Sequence, residues 1–154
     1  MQATGLAVTT VQLSSTFARL EITDADAGES MLIDIALDAI DERPTATGAG
    51  PTLTTTELAA NKILALYGRM EARDFEDTWK LAHQFPIEDT LRAAAEKDAG
   101  FDTEMFADSI GWLERLSDRR FTLPADEIVK MRSWFARLQD ALVRDEPLPD
   151  ATDQ

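Results

Sequence analysis

Apolar and polar side chains alternate along much of the first forty residues, and this two-residue period predicts β-structure. Residues 17–22, Phe-Ala-Arg-Leu-Glu-Ile, alternate in this way, and residues 31–37 form an apolar run that Asp34 interrupts. The polar segment 23–29 between them is rich in Asp and Gly, which is typical of a turn. The pattern therefore predicts a hairpin. Because two or three strands are marginally stable alone, we expect this sheet to pack on the following helices or on strands from elsewhere.

Residues 41–53 interrupt the pattern with Pro44, Gly48, Gly50 and Pro51, residue types that break regular structure. We interpret them as a linker, so that residues 1–53 hold a partial sheet and its linker. From residue 54 the apolar period changes to three or four residues, which predicts a helical region over 54–144. Residues 145–154 are acidic and contain two prolines, which predicts a disordered tail.

Capping residues and the helical period together predict five helices. The first is opened by Thr54-Thr55-Thr56-Glu57, which has the spacing of a capping box. The fold class is therefore α+β, a short and incomplete N-terminal sheet followed by a bundle of about five helices. The predicted helices are Leu58 to Tyr67, ending at Gly68; Phe75 to Gln84, with Asp74 as N-cap; Glu88 to Lys97; Thr103 to Leu116, with Asp102 as N-cap; and Ala125 to Arg144.

The composition excludes several kinds of site and location. Cysteine is absent, and His83 is the single histidine, which excludes thiolate nucleophiles and sulfur-based or histidine-rich metal sites. No segment approaches the ~18 continuous apolar residues of a membrane span, and the first residues lack the pattern of a signal peptide. These features favour a cytoplasmic location and no membrane partner.

The charge balance argues against broad binding to anionic polymers. The chain has 29 acidic residues against 15 basic ones and a formal net charge of -14. Such a field repels phosphate backbones and anionic lipid. A local basic site can still bind a nucleotide or an RNA end, because a distant field is screened at physiological salt.

The segment from Glu57 to Asp77 carries the most specific chemical pattern. Lys62 lies in an apolar helix, Arg69 follows, and then comes Arg-Asp-x-x-Asp at residues 73–77. This pattern resembles the paired helical motifs of the AbiEii/AbiGii-type nucleotidyltransferase toxin family. The resemblance implies the later part of a nucleotidyltransferase fold, Mg²⁺ as cofactor and a nucleoside triphosphate as substrate.

Three basic side chains suit the binding of a triphosphate. Lys62 is a point charge, and Arg69 and Arg73 offer forked donors that match phosphate oxygens. Spacings of seven and eleven residues bring all three to nearly one side of a helix, provided that Gly68 does not break it. The structural alternatives are that Lys62 extends to solvent and that Arg73 bridges neighbouring acids.

The two acids of the motif also have two interpretations each. By spacing alone, Asp74 is an N-cap and Asp77 favours a helix N-terminus through the helix dipole. The family resemblance implies that Asp74 and Asp77, with Arg73, are catalytic as well. The structural and the catalytic roles are compatible.

Asp34 is a candidate metal ligand outside this motif. It interrupts an apolar strand, where an ionised group is costly unless it is paired or bound to metal. By resemblance, it matches the third metal carboxylate of the nucleotidyltransferase fold. If the strand lies at an edge, Asp34 faces water instead, and Asp38 is a weaker alternative ligand.

One part of the family pattern is missing from the sequence. The family pattern begins with a Gly-Ser or Gly-Gly turn and an Asp-x-Asp pair on a strand, and neither precedes Asp34. Asp24-Ala25-Asp26 has the spelling, but it falls in a predicted turn, so we reject it. One strand acid cannot assemble a two-metal site. We therefore expect a truncated or degenerate copy that is catalytically incomplete alone.

Three functions follow from these observations. The first is a nucleotidyltransferase toxin of a toxin–antitoxin or abortive-infection system, with an RNA such as tRNA or a protein side chain as acceptor and a cognate antitoxin as partner. The second is a non-catalytic remnant that binds a protein partner, because an incomplete sheet leaves unpaired strand edges. The third is a plain helical interaction domain, which predicts no clustering of Lys62, Arg69, Arg73 and Asp77.

Overall fold

The computed structural model describes residues 5–37, 43–48 and 50–152. The chain divides into two compact units, residues 1–39 and residues 40–154. The first unit is a small antiparallel sheet and the second is mainly helical. The predicted α+β fold class, with the sheet first and five α-helices after it, is confirmed.

Three antiparallel strands form the first unit in the order β1-β2-β3. They are β1 (Leu6–Leu13), β2 (Phe17–Asp24) and β3 (Glu29–Ala36). The predicted hairpin is the β2–β3 pair, and its turn is held by Asp24 Oδ1, which accepts hydrogen bonds from two backbone N–H groups in the turn. Asp24 therefore stabilises the turn. This role agrees with our rejection of Asp24-Ala25-Asp26 as the Asp-x-Asp pair of the family pattern.

The register separates an apolar face of the sheet from a polar one. On the apolar face, Leu20 lies opposite Ile33 and Ile22 lies opposite Met31. On the other face, Arg19 lies opposite Asp34. The side chains of β1 are all exposed and those of β2 are half-buried, so none of the residues of these three strands is fully buried.

A second, smaller hairpin occupies the segment that was predicted to be a linker. Its strands are β4 (Thr45–Thr47) and β5 (Gly50–Thr52), which pair antiparallel. Gly50 has a φ of +110°, a conformation that glycine adopts without the steric cost of a Cβ atom. The prolines and glycines of the segment therefore mark a tight turn between short strands.

The helices of the second unit agree with the predicted number, and most ends shift by a few residues. The largest shift is in α4 (Thr103–Gly111), which was predicted to continue to Leu116. After Gly111 the chain forms a 3₁₀ turn, Trp112–Arg115, instead. At this point the end of the Gln139 side chain lies close to Gly111, 2.9 Å from the position that a Cβ atom would take. The helices are α1 (Thr55–Arg69), α2 (Ala72–Ala82), α3 (Ile87–Lys97), α4 (Thr103–Gly111) and α5 (Ala125–Arg144).

The end of α1 differs from the prediction. The helix passes through Gly68 and ends at Arg69, and Met70 then adopts the left-handed conformation with a φ of 53°. The Met70 N–H donates to the Leu66 carbonyl and satisfies one of the last free carbonyls of the helix. Gly68 is therefore inside the helix, and the left-handed residue that ends the helix, Met70, comes two residues after it.

Aromatic side chains form the centre of the helical unit. Phe75 packs edge-on against Phe135 at 5.2 Å between ring centroids, and Trp134 packs against both Phe135 and Trp79. Phe75, Phe106, Trp134 and Phe135 are fully buried. Burial of such large rings is a dominant source of stability, so α2, α4 and α5 are tied to one core.

Part of the predicted disordered tail packs on this core. The Trp134 Nε1–H donates to the Pro149 carbonyl at 3.1 Å, Leu148 lies against the core and Ala151 is buried. The indole needs an acceptor when it is buried, and the tail supplies one, a contact that local composition does not reveal. No helix among the described residues is long and apolar enough to cross a membrane.

Candidate functional site

Two ion pairs join α1 to α2 across their shared surface. Lys62 Nζ lies 2.7 Å from Asp77 Oδ2, and Arg69 Nη2 lies 2.7 Å from Asp74 Oδ1. Lys62 and Arg69 are two helical turns apart on α1, while Asp74 and Asp77 are about one turn apart on α2, so each pair falls on one face. We call these four residues the α1–α2 seam. The structure thus brings together four of the six predicted site residues.

Asp74 is the buried member of the seam, with an exposure of 1%. It was predicted as the N-cap of the second helix, but the N-cap is Glu71 and Asp74 is the third helical residue in a capping box. Its Oδ2 accepts the Glu71 N–H, and its Oδ1 accepts from Arg69. Both oxygens are engaged, so this carboxylate positions Arg69 and the start of α2.

Arg69 is anchored at one end of its guanidinium group and open at the other. One Nη2–H bonds to Asp74, while half of the side chain remains exposed. No other described residue accepts a hydrogen bond from it. The remaining N–H donors of the planar fork are therefore available to an anion whose position the buried Asp74 helps to fix.

Lys62 and Asp77 form a pair that solvent and ligands can reach. Their side chains are 34% and 32% exposed, and Lys62 donates to Asp77 Oδ2 only. Among the described residues, none donates a hydrogen bond to Asp77 Oδ1. An ionic pair of this exposure is weak, so the Lys62 ammonium can exchange its carboxylate partner for another anion at small cost.

Arg73 stands apart from the seam. It belongs to α2 and pairs with Glu71 Oε2 at 3.2 Å, with two thirds of its side chain exposed. Because α1 ends at Arg69, the single helix face that would align Lys62, Arg69 and Arg73 stops before Arg73. The predicted alignment of all three basic residues on one helix is wrong, since the chain reverses at Met70.

Asp34 lies in the first unit, on the polar face of the sheet. Arg19 Nε and Nη2 donate to Asp34 Oδ1 and Oδ2, each at 2.7 Å, in a bidentate pair across β2 and β3. The hydrogen bond and charge of Asp34 raise the pKa of Arg19. The apolar neighbours of Asp34 in sequence occupy the opposite face, as period-two alternation requires. Asp38 lies outside the described residues.

The comparisons with known proteins identify the family. A family model described as "Nucleotidyl transferase AbiEii toxin, Type IV TA system" matches residues 7–153. This chain belongs to the AbiEii family. No curated protein and no solved structure matches it significantly. Membership makes the AbiEii chain a toxin of the nucleotidyltransferase type and implies a nucleoside triphosphate substrate and a cognate antitoxin.

Nucleotidyltransferases typically use a divalent metal, so we tested whether the acids of this AbiEii protein fit one. Asp74 has no free oxygen, Asp34 is held at both oxygens by Arg19, and Asp77 has one open oxygen. Within the described ranges, no group of three or more His, Asp or Glu residues could hold a metal ion. In their observed arrangement these residues do not fit a complete Mg²⁺ site.

Two further charged contacts of the AbiEii chain were not predicted. Glu57, interpreted as half of a capping box, places its carboxylate against Lys97 at 2.5 Å, and both side chains are buried. Thr54 does accept the Glu57 N–H, so the N-cap itself is confirmed. Glu76 accepts two hydrogen bonds from Thr122. Both contacts join residues about forty positions apart, and no local pattern could have indicated them.

Proposed function

We propose that this AbiEii protein binds the triphosphate of a nucleoside triphosphate at the α1–α2 seam and transfers the nucleotide to an RNA such as tRNA or to a protein side chain. The single observation that carries the proposal is the Lys62–Asp77 pair at 2.7 Å, whose two side chains are each about one third exposed. It presents an ammonium group that is already positioned and only weakly neutralised. A pair with a purely structural role would not need an open Asp77 Oδ1.

Binding begins with an exchange of partners at Lys62. A phosphate oxygen takes the place of Asp77 Oδ2, because a triphosphate carries more negative charge than one carboxylate and accepts hydrogen bonds in the same way. Asp77 is then released from its ion pair. Its carboxylate is free to accept a proton or to contact a cation, which is the catalytic role that the family resemblance implies for it.

Arg69 supplies the second contact to phosphate. Its guanidinium group is held by the buried Asp74, so less side-chain entropy is lost when its other donors bind. Asp74 is thus a positioning residue in this proposal, and its catalytic contribution acts through Arg69. Arg73 is exposed enough to extend toward the same ligand, as its sequence position in the family motif implies.

The family resemblance implies Mg²⁺ as cofactor and Asp34 as one of its ligands, and we include both in the proposal. A bound Mg²⁺ would supply positive charge to the phosphates. Asp34 would have to leave its bidentate bond with Arg19 before it could act as a ligand.

The direct test is nucleotide binding and transfer by variants at Lys62. We expect Lys62→Ala to weaken the binding of a fluorescent triphosphate at least about tenfold, the range of a lost hydrogen bond to a charged group. Lys80→Ala is the matched control, since Lys80 also lies in the helical unit and pairs with a glutamate. Metal-dependent transfer of labelled nucleotide should fail in Lys62→Ala and in Asp77→Ala. Equal binding by both lysine variants would overturn the proposal.

A second candidate function is a partner-binding module without catalysis, and the sheet favours it. Val8 and Val11 on β1, and Met31 and Ile35 on β3, are each more than half exposed. Exposed apolar side chains on an open sheet are typical of a surface that another chain covers. In this case Val8→Thr combined with Ile35→Thr would abolish co-elution with a partner, and Lys62→Ala would change nothing.

A further inference from the structure

The segment between α4 and α5 concentrates basic charge on an acidic protein. Residues 112–120 comprise two 3₁₀ turns, Trp112–Arg115 and Asp118–Arg120, and they contain three arginines. We call this segment the arginine loop. Arg115, Arg119 and Arg120 are all exposed. The loop holds these three arginines against two acids, Glu114 and Asp118, in a chain whose net charge is -14.

The three arginines of the loop are not used by the fold as ion-pair partners. None of them pairs with a carboxylate of the described residues, whereas Lys62, Arg69 and Lys97 all do. Asp118 is adjacent to Arg119 in sequence, and Arg132 pairs with it at 2.7 Å. The other acid of the loop, Glu114, is next to Arg115 in sequence and forms no ion pair with the described residues.

Arg132 holds the loop in place from α5. Its guanidinium group donates to the carbonyls of Leu113 and Leu116, at 2.7 and 2.6 Å, and to Asp118. It also lies over the ring of Phe121, 5.4 Å from the centroid. The fold thus uses one arginine as a fixed support, and the other three are displayed on a preorganised backbone. Preorganisation lowers the cost of binding.

Trp112 adds an aromatic surface to the arginine loop. Its side chain is 41% exposed, and the Arg115 guanidinium lies 4.5 Å from its ring centroid. The other two tryptophans, Trp79 and Trp134, are buried. An exposed indole beside arginines matches the way proteins bind single strands, with bases stacked on aromatic rings and phosphates held by cations.

A groove runs beside the loop. It has a volume of about 330 Å³ and lies between the first 3₁₀ turn and α5, with Gly111, Glu114, Arg132, Ser133 and Gln139 among its lining residues. This volume is at the lower end of the range for small-ligand sites. Glu114 and Ser133 offer an acceptor and a hydroxyl, which are groups that can bind the edge of a base.

We propose that the arginine loop binds unpaired nucleotides of a single-stranded nucleic acid, with Trp112 stacking a base and Arg115, Arg119 and Arg120 contacting phosphates. Its role as the acceptor site rests on the proposed function, but the binding itself does not. The acidic remainder of the chain opposes long duplexes and anionic membranes, which present charge over a wide area. A short unpaired segment can contact the arginine loop without bringing other phosphates close to the acidic remainder of the chain.

The test is binding of labelled twelve-nucleotide single-stranded RNA and DNA by fluorescence anisotropy at physiological salt, without triphosphate or metal. We expect the triple variant Arg115→Gln, Arg119→Gln and Arg120→Gln to bind at least about tenfold more weakly than the wild type. The control is the triple variant Arg92→Gln, Lys130→Gln and Arg144→Gln, which removes the same charge from exposed positions elsewhere. It should stay within about twofold of the wild type.

Two further readouts separate this site from general polyanion attraction. A base stacked on the exposed ring of Trp112 should quench its fluorescence. Because the other two tryptophans are buried, Trp112→Phe should remove this quenching. The slope of log affinity against log salt should be about −2 for the wild type, since each phosphate contact to a single strand contributes about −0.7. The loop variant should lose this slope.

The outcomes divide clearly. The proposal is overturned if both triple variants bind alike, if no single strand binds, or if duplex, heparin and anionic vesicles bind as well as single strands with no quenching. RNA binding with DNA binding several-fold weaker supports contacts to the 2′-hydroxyl, and equal binding supports stacking and phosphate contacts alone. Lys62→Ala should leave strand binding unchanged, so a failure of the triphosphate site and a failure of this site give different results.

Discussion

The sheet unit and the helical unit solve the problem of burial differently. In β1, β2 and β3 every described side chain is exposed or half-buried. In the helical unit, by contrast, a continuous cluster of buried apolar residues joins the helices. The sheet is held mainly by its backbone hydrogen bonds, and the helical unit by packing. We infer that the helical unit provides the rigid frame for the candidate site.

Ion pairs in the two units show the same contrast. The Arg19–Asp34 pair of the sheet is largely exposed, the Glu57–Lys97 pair of the helical unit is buried, and the Lys62–Asp77 pair lies between these extremes. Exposed pairs contribute little to stability, and buried pairs cannot change partner cheaply. A pair of intermediate exposure is positioned by the fold and still accessible, which is what ligand exchange requires.

The largest expected effect separates the two units directly. Phe75→Ala removes a fully buried ring and should lower the free energy of unfolding by about 3–5 kcal/mol. Leu20→Ala, at a half-buried position of β2, should cost much less because fewer contacts are lost. Urea unfolding followed by circular dichroism measures both. Equal losses would show that the sheet is as well packed as the helical core.

The buried ion pair should come next. Lys97→Met removes the ammonium group that pairs with Glu57 and should cost about 3 kcal/mol, because breaking a buried ion pair by removing one member is strongly destabilising. The double variant Glu57→Met with Lys97→Met removes both charges and should recover most of that loss. A double variant less stable than the single one would mean that the pair is worth more than the apolar side chains that replace it.

A smaller and pH-dependent effect is expected at Glu76. Burial opposes its ionisation, but hydrogen bonds from Thr122 and the charge of Lys80 outweigh this and lower the pKa of the carboxyl below its ordinary 4.5. Its contribution is therefore full above pH 4.5 and is lost as the pH falls through the lowered value.

Glu76→Gln should cost about 1–2 kcal/mol at pH 7 and progressively less in acid. Unfolding at a series of pH values from 7 to 3 measures the difference. A cost that is independent of pH would show that hydrogen bonding alone, and not the charge of Glu76, stabilises the contact with Thr122.

The smallest effect is expected in the sheet. Arg19→Ala breaks the exposed pair with Asp34 and should leave the unfolding midpoint unchanged within error. It also removes the bidentate Arg19 bond from Asp34, so if Asp34 is a metal ligand, this variant should bind Mn²⁺ at least as well as the wild type. Weaker Mn²⁺ binding in Arg19→Ala would contradict that role for Asp34.

Local signals predicted most of the secondary structure and much less of the site. The bounds of α5 follow from its apolar period, and the N-caps Thr54 and Asp102 follow from their spacing. The motif indicated which residues of α1 and α2 matter, but the chain reversal at Met70 decided that Arg73 leaves the group. That reversal depends on a left-handed conformation at a methionine, which sequence rules do not favour.

Tertiary contacts explain the remaining differences. Arg132 has no local motif, yet it binds two carbonyls and an aspartate of the arginine loop. The acidic tail has the composition of a disordered segment, but a buried indole in α5 needs the Pro149 carbonyl. In each case a buried polar group needs a hydrogen-bond partner, and the partner comes within reach only when the helices have assembled.

The most direct test of the exchange at Lys62 is the affinity for tripolyphosphate without metal. In the protein Asp77 competes with phosphate for the Lys62 ammonium, so Asp77→Asn should tighten binding by about two- to fivefold, the worth of a partly exposed ion pair. Lys62→Ala should weaken it in the same titration by calorimetry. Weaker or unchanged binding in Asp77→Asn, together with wild-type binding in Lys62→Ala, would contradict the account.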